Sequence, residues 1–463
     1  MSLPPDRPNV LWIVADQLRH AALSSSGDPN VPTPNVDRLV AEGVACTEAV
    51  SQYPVCTPFR ASLFTGHFSP ANGTERHGDF LPPDRRTIAH AFESAGYHTS
   101  YVGKWHLAPE TGASFVTPGG WIGQSYWVHP AMRGGFREWH GFNVSNNYLE
   151  TYIASGEQIA PERLPGHQTD ALTDRTLEVL ARRPAGEPWF HVLAYEAPHP
   201  GAGGHPRSPG YPVPEAYEDL VDPAALELRA NVPDHQRDAA RLQLAGYYRM
   251  IRHLDDNVGR VLAFLDERGL TETTLVVFLS DHGEMGGSHG LRHKHVPFDE
   301  SVHVPLVWRL PGVLPAGGRY AAPICGVDVY PTTAGLCGVP PAAPMAGLDH
   351  AVALAAATPS AVSPAAPPRD AVPLQWETPR FAFGDHPYRG VRTARHTYTV
   401  GRDDAFCLLF DRVADPFELR NLFADPAAQG VRRTLHARLE ALLREHEGDL
   451  PAYVVRGRPA EEG

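Results

Sequence analysis

The chain predicts an α/β fold built on a doubly wound, mostly parallel sheet, and three observations carry that prediction. Four near-continuous apolar runs read as strands covered on both faces. Helical patterns lie between them, giving the strand–helix–strand alternation that builds parallel sheets. Each apolar run ends in polar residues, as strands do when their carboxyl ends open onto a ligand crevice.

The first run is NVLWIVADQ, residues 9–17, ending at Asp16 and Gln17. TPNVDRLVAEG follows, with Thr33 placed as a helix cap, Pro34 in the first turn, Val36, Leu39 and Val40 on one face and Gly43 as a stop. VCTPFRASLFTG, residues 55–66, reads as a short helix starting near Cys56, with Pro58 in its first turn and Gly66 at its end. YHTSYVGKWH is the second strand, ending at Lys104 and His106; WFHVLAYEAPH is the third, ending at His199. LAGYYRMIRHLDDNVGRVLAFLDERG is a long amphipathic helix. TTLVVFLSDHG is the fourth strand, ending at Asp281 and His282. The spacing assigns residues 1–340 to one large domain and the Ala/Pro-rich residues 341–371 to a loop or linker. Residues 372–463 then form a small α+β subdomain, with strand-like runs in FAFGDHPYRGVRTARHTYTV and AFCLLFD and a helix around VRRTLHARLEALLREHEG.

The 463 residues allow a large core, and 42% apolar content is ordinary for a globular chain. A net charge of −13 argues against a nucleic-acid groove but leaves room for a small basic pocket. The five cysteines, Cys46, Cys56, Cys325, Cys337 and Cys407, form no C-x-x-C pair and no zinc spacing, which fits a reducing compartment. No apolar run reaches membrane-spanning length, and no basic segment leads into an apolar core at the start. The expectation is a cytoplasmic protein without a membrane partner. Nothing here speaks to oligomeric state. Of the 40 basic residues only Lys104 and Lys294 are lysines, so these two compact cations stand out against a general arginine bias.

Hard divalent cations take oxygen ligands, which Asp16, Gln17 and Asp281 supply, and His282 adds an imidazole. One Ca²⁺, Mg²⁺ or Mn²⁺ would suit the set, the histidine favouring Mn²⁺. Either dipeptide alone is more often a turn or a cap. Cys56, at a helix N-terminus with Arg60 one turn on, has a bland reading as a buried small hydrophobe and a reactive one as a low-pKa thiolate.

A third reading of Cys56 comes from likeness. Cys-Thr-Pro-Phe-Arg followed by Ala-Ser-Leu-Phe-Thr-Gly resembles the sulfatase signature, C-x-P-x-R, whose cysteine is oxidised to formylglycine. The resemblance continues through NVLWIVADQ, TPNVDRLVAEGV, AGYHTSYVGKWHLAP, EAPHP, SDHGEMGGSHGLRHKHVPFDESVHVPLV and DPFELRNLFADP, six ordered blocks that hold both lysines. It implies an alkaline-phosphatase-like fold with residues 1–340 as the catalytic domain. The chain departs from the common pattern in Phe59 after the proline, Asp-Gln at residues 16–17 and Asp-His at residues 281–282. These pairs resemble the branch that includes choline sulfatases and phosphonate monoester hydrolases, which leaves both the metal and a sulfate-only specificity open.

The resemblance implies a mechanism. A formylglycine-generating enzyme would convert Cys56, and the hydrated aldehyde would bind one divalent metal, Ca²⁺ by family habit, together with Asp16, Gln17, Asp281 and His282. One hydroxyl would attack sulfur in line and displace the alcohol, and the second would collapse to the aldehyde and expel sulfate. Arg60 would hold the diol, Lys104 would offset charge on the nucleophile, and His106 would take the proton released on collapse. His199 and Lys294 would bind sulfate oxygens, His199 also protonating the leaving alcohol. The aromatic, Asn- and Gly-rich residues 119–150 suit either a leaving-group pocket or a structural lid, and Asn147, Tyr148 and His293 are candidate pocket residues. The substrate implied is a small-molecule sulfate ester of a sugar or another alcohol. A phosphonate monoester hydrolase or phosphodiesterase on the same fold, a non-catalytic anion binder and a cysteine-thiolate hydrolase are the rivals.

Overall fold

A computed structural model describes residues 7–109, 116–117, 120–121, 124–158, 160–204, 210–360, 367–377 and 386–459. The main sheet contains β1 (Asn9–Asp16), β2 (Val44–Cys46), β3 (His98–Lys104), β4 (Glu138–Phe142), β5 (Tyr152–Ser155), β6 (Glu162–Arg163), β7 (Trp189–Pro198), β8 (Thr274–Ser280), β9 (Leu306–Arg309) and β10 (Gly318–Tyr320). Their order is β6-β5-β4-β3-β7-β1-β8-β9-β2-β10. The five central strands, β4 to β8 in that order, are parallel. Antiparallel pairs flank them: β5 and β6 on one side, β9 on the other. The predicted parallel sheet is therefore the centre of a larger mixed one.

The helices are α1 (Pro34–Glu42), α2 (Cys56–Thr65), α3 (Ile88–Ser94), α4 (Gln168–Ala181), α5 (Arg237–Glu267), α6 (Asp299–Val302), α7 (Gly326–Leu336), α8 (Ala351–Ala355), α9 (Gln429–His446) and α10 (Ala452–Arg456). Alternation along β1 sorts them onto two faces. Val10, Trp12 and Val14 join the core under α2, α3 and α7, whereas Leu11, Ile13 and Ala15 join the core under α1, α4 and α5. A strand with no solvent face has to be apolar throughout, which is why β1 reads as an unbroken run. Among the described residues no helix is long and apolar enough to cross a membrane.

The second sheet is an antiparallel meander of β11 (Ala371–Trp376), β12 (Tyr388–Thr393), β13 (His396–Gly401) and β14 (Leu408–Asp411). α9 and α10 cover one of its faces. Val372, Leu374, Trp376 and Tyr388 pack instead on Val50, Tyr53 and Val55, the segment that leads into α2. β11 begins at Ala371, within the stretch read as linker, because Val372 and Leu374 have that apolar patch to cover. The Ala/Pro-rich residues are packed as well: Leu354 of α8 is fully buried, and the backbone N–H groups of Ala346 and Gly347 donate to Gly66 O. Residues 361–366 and 381–385 of the predicted linker and strand lie outside the described residues.

Register brings the polar strand ends together. Ala15 pairs with Ser280, so Asp16 and Asp281 leave adjacent strands side by side, and Ala194 pairs with Gly103 one residue before Lys104. Gly103 has φ +108°, and a Cβ there would run into the carbonyl oxygen of Ala194. Replacing Gly103 by alanine is expected to destabilise the fold by about 2–3 kcal/mol through that clash and the positive φ. Denaturant unfolding measures it, and an unchanged midpoint would contradict this account of the β3–β7 contact.

Candidate active site

Cys56 opens α2 after Val55, an extended residue at φ −158°, and Gly66 closes the helix at φ +70°. All ten residues of α2 are buried, so its N-terminus points into the protein at the strand ends. The Cys56 sulfur lies 3.2 Å from His282 Nε2 and 3.8 Å from Asp16 Oδ1. Arg60, one turn on, reaches both carboxylates: NH2 donates to Asp16 Oδ2 at 3.1 Å and Nε to Asp281 Oδ2 at 3.3 Å. Its NH1 donates to the Lys104 carbonyl at 3.0 Å. A fully buried guanidinium here ties the helix to the ends of β1, β3 and β8.

Asp16, Cys56, Asp281 and His282 place one potential ligand atom each within 4.8 Å of one another, all buried. His282 Nδ1 lies 3.2 Å from Gly283 O. A carbonyl only accepts, so Nδ1 carries the proton and the Nε2 lone pair faces Asp16, Asp281 and residue 56. Burial and Lys294 lower the His282 pKa, which keeps that lone pair free. Burial and the neighbouring Asp16 carboxylate raise Asp281 to about 7. Burial alone would raise Asp16 too, but the fixed charges of Lys104 and Arg60 hold it well below the carboxylate range. Two adjacent buried carboxylates, a neutral imidazole with its lone pair turned inward and residue 56 fit one hard divalent cation. Gln17 stands beside them with φ +67°. Its amide oxygen accepts from Lys294 Nζ at 2.6 Å, and its amide nitrogen donates to Glu284.

Lys104 Nζ pairs with Asp16 Oδ2 at 2.7 Å and with Glu196 Oε1 at 2.8 Å, and it lies 3.9 Å from the Cys56 sulfur. Lys294 Nζ lies 2.9 Å from His199 Nε2. His199 Nδ1 donates to Pro200 O at 2.7 Å, and its carbonyl accepts from the Tyr148 hydroxyl at 2.6 Å. His106 follows β3 at φ +56°, with its ring edge-on to His77, 4.9 Å between centroids. Burial and Lys104 lower the His106 pKa, so it stands as a neutral base. Non-glycine residues at positive φ cluster here, Gln17, His106, His293 and His295 among them, as backbone strain does at functional sites.

The nine residues Asp16, Gln17, Cys56, Arg60, Lys104, His199, Asp281, His282 and Lys294 thus form one contact network, with His106 next to it in chain. The three pocket candidates sit further out. Tyr148 is fully buried and supports the His199 loop, and Asn147 spends its side-chain oxygen on the N–H groups of Leu149 and Glu150. His293 is half-buried, and its backbone N–H donates to Glu284 Oε1 at 2.8 Å. Sequence reasoning missed Glu196 and Glu284, both fully buried. The signal for Glu196 was present: one carboxylate inside the apolar run WFHVLAYEAPH. It also missed His77, whose pKa burial, Lys294 and Lys104 lower to about 4, and Trp376 of β11, whose ring lies 4.6 Å from that of His295. For an unmodified cysteine, burial and Asp16 push the Cys56 thiol up to about 12, which speaks against the thiolate reading.

A buried cluster fit for a cation at a helix start, ringed by lysine and histidine, suits a hydrolase of anionic esters. The sulfatase family model matches residues 8–339, and the model described as N-sulphoglucosamine sulphohydrolase, C-terminal, matches residues 287–445. The chain belongs to the sulfatase family, within the alkaline phosphatase superfamily, and is a sulfuric ester hydrolase. It is 32% identical to an ulvan-active sulfatase of Formosa agariphila over 95% of this chain and 82% of that one. A Bacteroides thetaiotaomicron structure from work on glycosaminoglycan metabolism superposes with a TM-score of 0.82 at 24% identity, covering 98% and 100% of the two chains. The phosphonate monoester hydrolase of Agrobacterium radiobacter superposes at 0.73 with 25% identity, covering 95% and 96%.

The purified protein is expected to take up one divalent cation per chain, and the Asp281→Ala variant to retain at least about tenfold less under the same dialysis. Elemental analysis measures both. Equal retention by the two proteins would contradict the assignment of this cluster.

Proposed function

We propose that this pocket hydrolyses a monoanionic sulfate ester to an alcohol and inorganic sulfate, with residue 56 as formylglycine and one divalent cation held by Asp16, Asp281, His282 and residue 56, Gln17 adjoining. The observation that carries the reading is the charge count of the buried network. Four carboxylates, Asp16, Asp281, Glu196 and Glu284, face three cationic side chains, Arg60, Lys104 and Lys294. Burial raises Asp281 and Glu196, so the count applies with all four ionised, the state a bound cation favours; the side chains then sum to one negative charge. A divalent cation turns that deficit into a surplus of one, which a singly charged ester cancels. In a dry site an uncancelled charge is costly, so this count selects the charge of the substrate.

When bound, the cation supplies Lewis acidity toward an oxygen nucleophile at position 56, and formylglycine supplies a hydrated aldehyde able to release sulfate without a second enzyme nucleophile. The remaining work falls to side chains of this chain. Lys104, held between Asp16 and Glu196, keeps a fixed positive charge beside residue 56. Arg60 fixes the start of α2 against both carboxylates. Lys294 Nζ donates to His199 Nε2 at 2.9 Å; the lysine can turn to a sulfate oxygen, and Nε2 donates beside it once protonated. His106, neutral and buried, is the base for the proton released as the intermediate collapses.

A second reading is supported by the Asp-Gln and Asp-His pairs and by the likeness to a phosphonate monoester hydrolase. Phosphonate monoesters and phosphate diesters are also monoanions, so the same charge count admits them. Kinetics on p-nitrophenyl sulfate, p-nitrophenyl phenylphosphonate and p-nitrophenyl phosphate separate the possibilities. The expected order puts the sulfate first and the dianionic phosphate at least ~10²-fold lower in kcat/KM, the scale on which transition-state binding is compared. A first place for the phosphonate selects the second reading, and a first place for the dianionic phosphate contradicts both.

A further inference from the structure

Glu196 has no role in the scheme above beyond its charge, yet its position is specific. It is fully buried near the end of β7. Its Oε1 lies 2.8 Å from Lys104 Nζ and 3.6 Å from His199 Nδ1, while its Oε2 has no hydrogen-bond partner among the described residues. One carboxylate oxygen therefore touches both the lysine beside residue 56 and the imidazole on the far side of the pocket. Lys104 is already paired with Asp16 at 2.7 Å, so neutralising the lysine does not require a second carboxylate. Burying another carboxylate is costly, so its retention calls for a further task.

The geometry around His199 points to that task. Nδ1 donates to Pro200 O, which fixes the tautomer and turns Nε2 into the pocket toward Lys294. To protonate a leaving alcohol, Nε2 must itself carry a proton, which makes the ring an imidazolium. Burial opposes that charge most, then Lys294 and Lys104, while Asp16 favours it from further off. Glu196, 3.6 Å behind Nδ1, is the carboxylate in contact with the ring, and its charge favours the imidazolium while the Nδ1–H bond itself goes to Pro200 O. The His199 backbone N–H also donates to Glu196 O at 3.0 Å, so carboxylate and ring keep a fixed separation.

We infer that Glu196 is a positioning residue for leaving-group protonation: it holds Lys104 beside residue 56 and stabilises the protonated form of His199. The inference rests on the hydrolase reading proposed above. In the step concerned, the hydroxyl at position 56 gives up its proton to solvent as its oxygen bonds to sulfur, and the ester S–O bond breaks. The electron pair stays on the alcohol oxygen, which takes the proton from His199 Nε2, and His199 recovers a proton from water.

The test is leaving-group dependence. Wild type, Glu196→Gln, Glu196→Asp and His199→Ala are assayed on substituted phenyl sulfates spanning good to poor leaving phenols, with thermal melts confirming folding. Glu196→Gln is expected to lose ~10²-fold in kcat/KM on the poorest leaving group and less than about threefold on the best, the span of general-acid assistance. Glu196→Asp recovers part of the loss, and the double variant with His199→Ala shows no steeper dependence than His199→Ala alone. An equal loss across the series, or none, overturns the inference and leaves Glu196 a structural ion-pair partner. If the wild type prefers phosphonates, the same series as aryl phenylphosphonates is read by the same criteria. A wild type silent toward both series, with the aldehyde present, overturns the hydrolase reading and the inference together.

Discussion

The bridge from Arg60 to Asp16 and Asp281 is the interaction on which the rest of the site depends. Two carboxylates leave adjacent parallel strands at the same level because the β1–β8 register allows nothing else. Unrelieved, that pair would be among the least favourable features of the core. A guanidinium suits the task better than an ammonium, since its fork reaches both carboxylates and a backbone carbonyl at once. Arg60 lies one turn into α2, so satisfying the carboxylates also fixes where α2 begins. Residue 56 is thereby delivered to the strand ends, and α2 is buried whole because its start must point inward.

The second constraint is charge. Lys104, Lys294 and Arg60 do not outnumber the carboxylates around them, so the apo pocket is not a general anion trap. On the proposed reading it would become one by a single charge when a divalent cation joins, which would tie anion binding to metal occupancy. The two lysines also act differently. Lys104 is locked by two carboxylates, while Lys294 rests on an amide oxygen and an imidazole nitrogen, partners that yield more easily to a bound anion. This asymmetry separates a fixed electrostatic element from a ligand-responsive one.

Much of this was legible in the sequence, for identifiable reasons. The central strands were readable because two-sided burial forces unbroken apolar runs, and their polar ends converge because parallel strands share one carboxyl edge. Lys104 and Lys294 stood out only because this chain otherwise uses arginine. The antiparallel strands β5, β6 and β9 and the edge strand β10 were not legible, being short and set by pairing rather than by pattern. β11 starts on the last residue of the Ala/Pro-rich stretch, and its apolar residues gain meaning only against the segment before α2. Glu196 and Glu284 were missed because a lone acidic residue gains meaning from what faces it, and that is decided by tertiary contact. Asn147 and Tyr148 lie where composition pointed, but their hydrogen bonds go to backbone.

The account turns on residue 56 being more than a buried thiol. The most direct test is the mass of the peptide carrying Cys56, from protein produced with an active formylglycine-generating enzyme. Conversion makes that residue roughly 18 Da lighter, a covalent change that alters the chemistry available at the site. The account predicts the lighter peptide, with hydrolytic activity rising in proportion to its fraction. An unmodified cysteine in protein that is fully active, while a control substrate of the generating enzyme is converted, would contradict it.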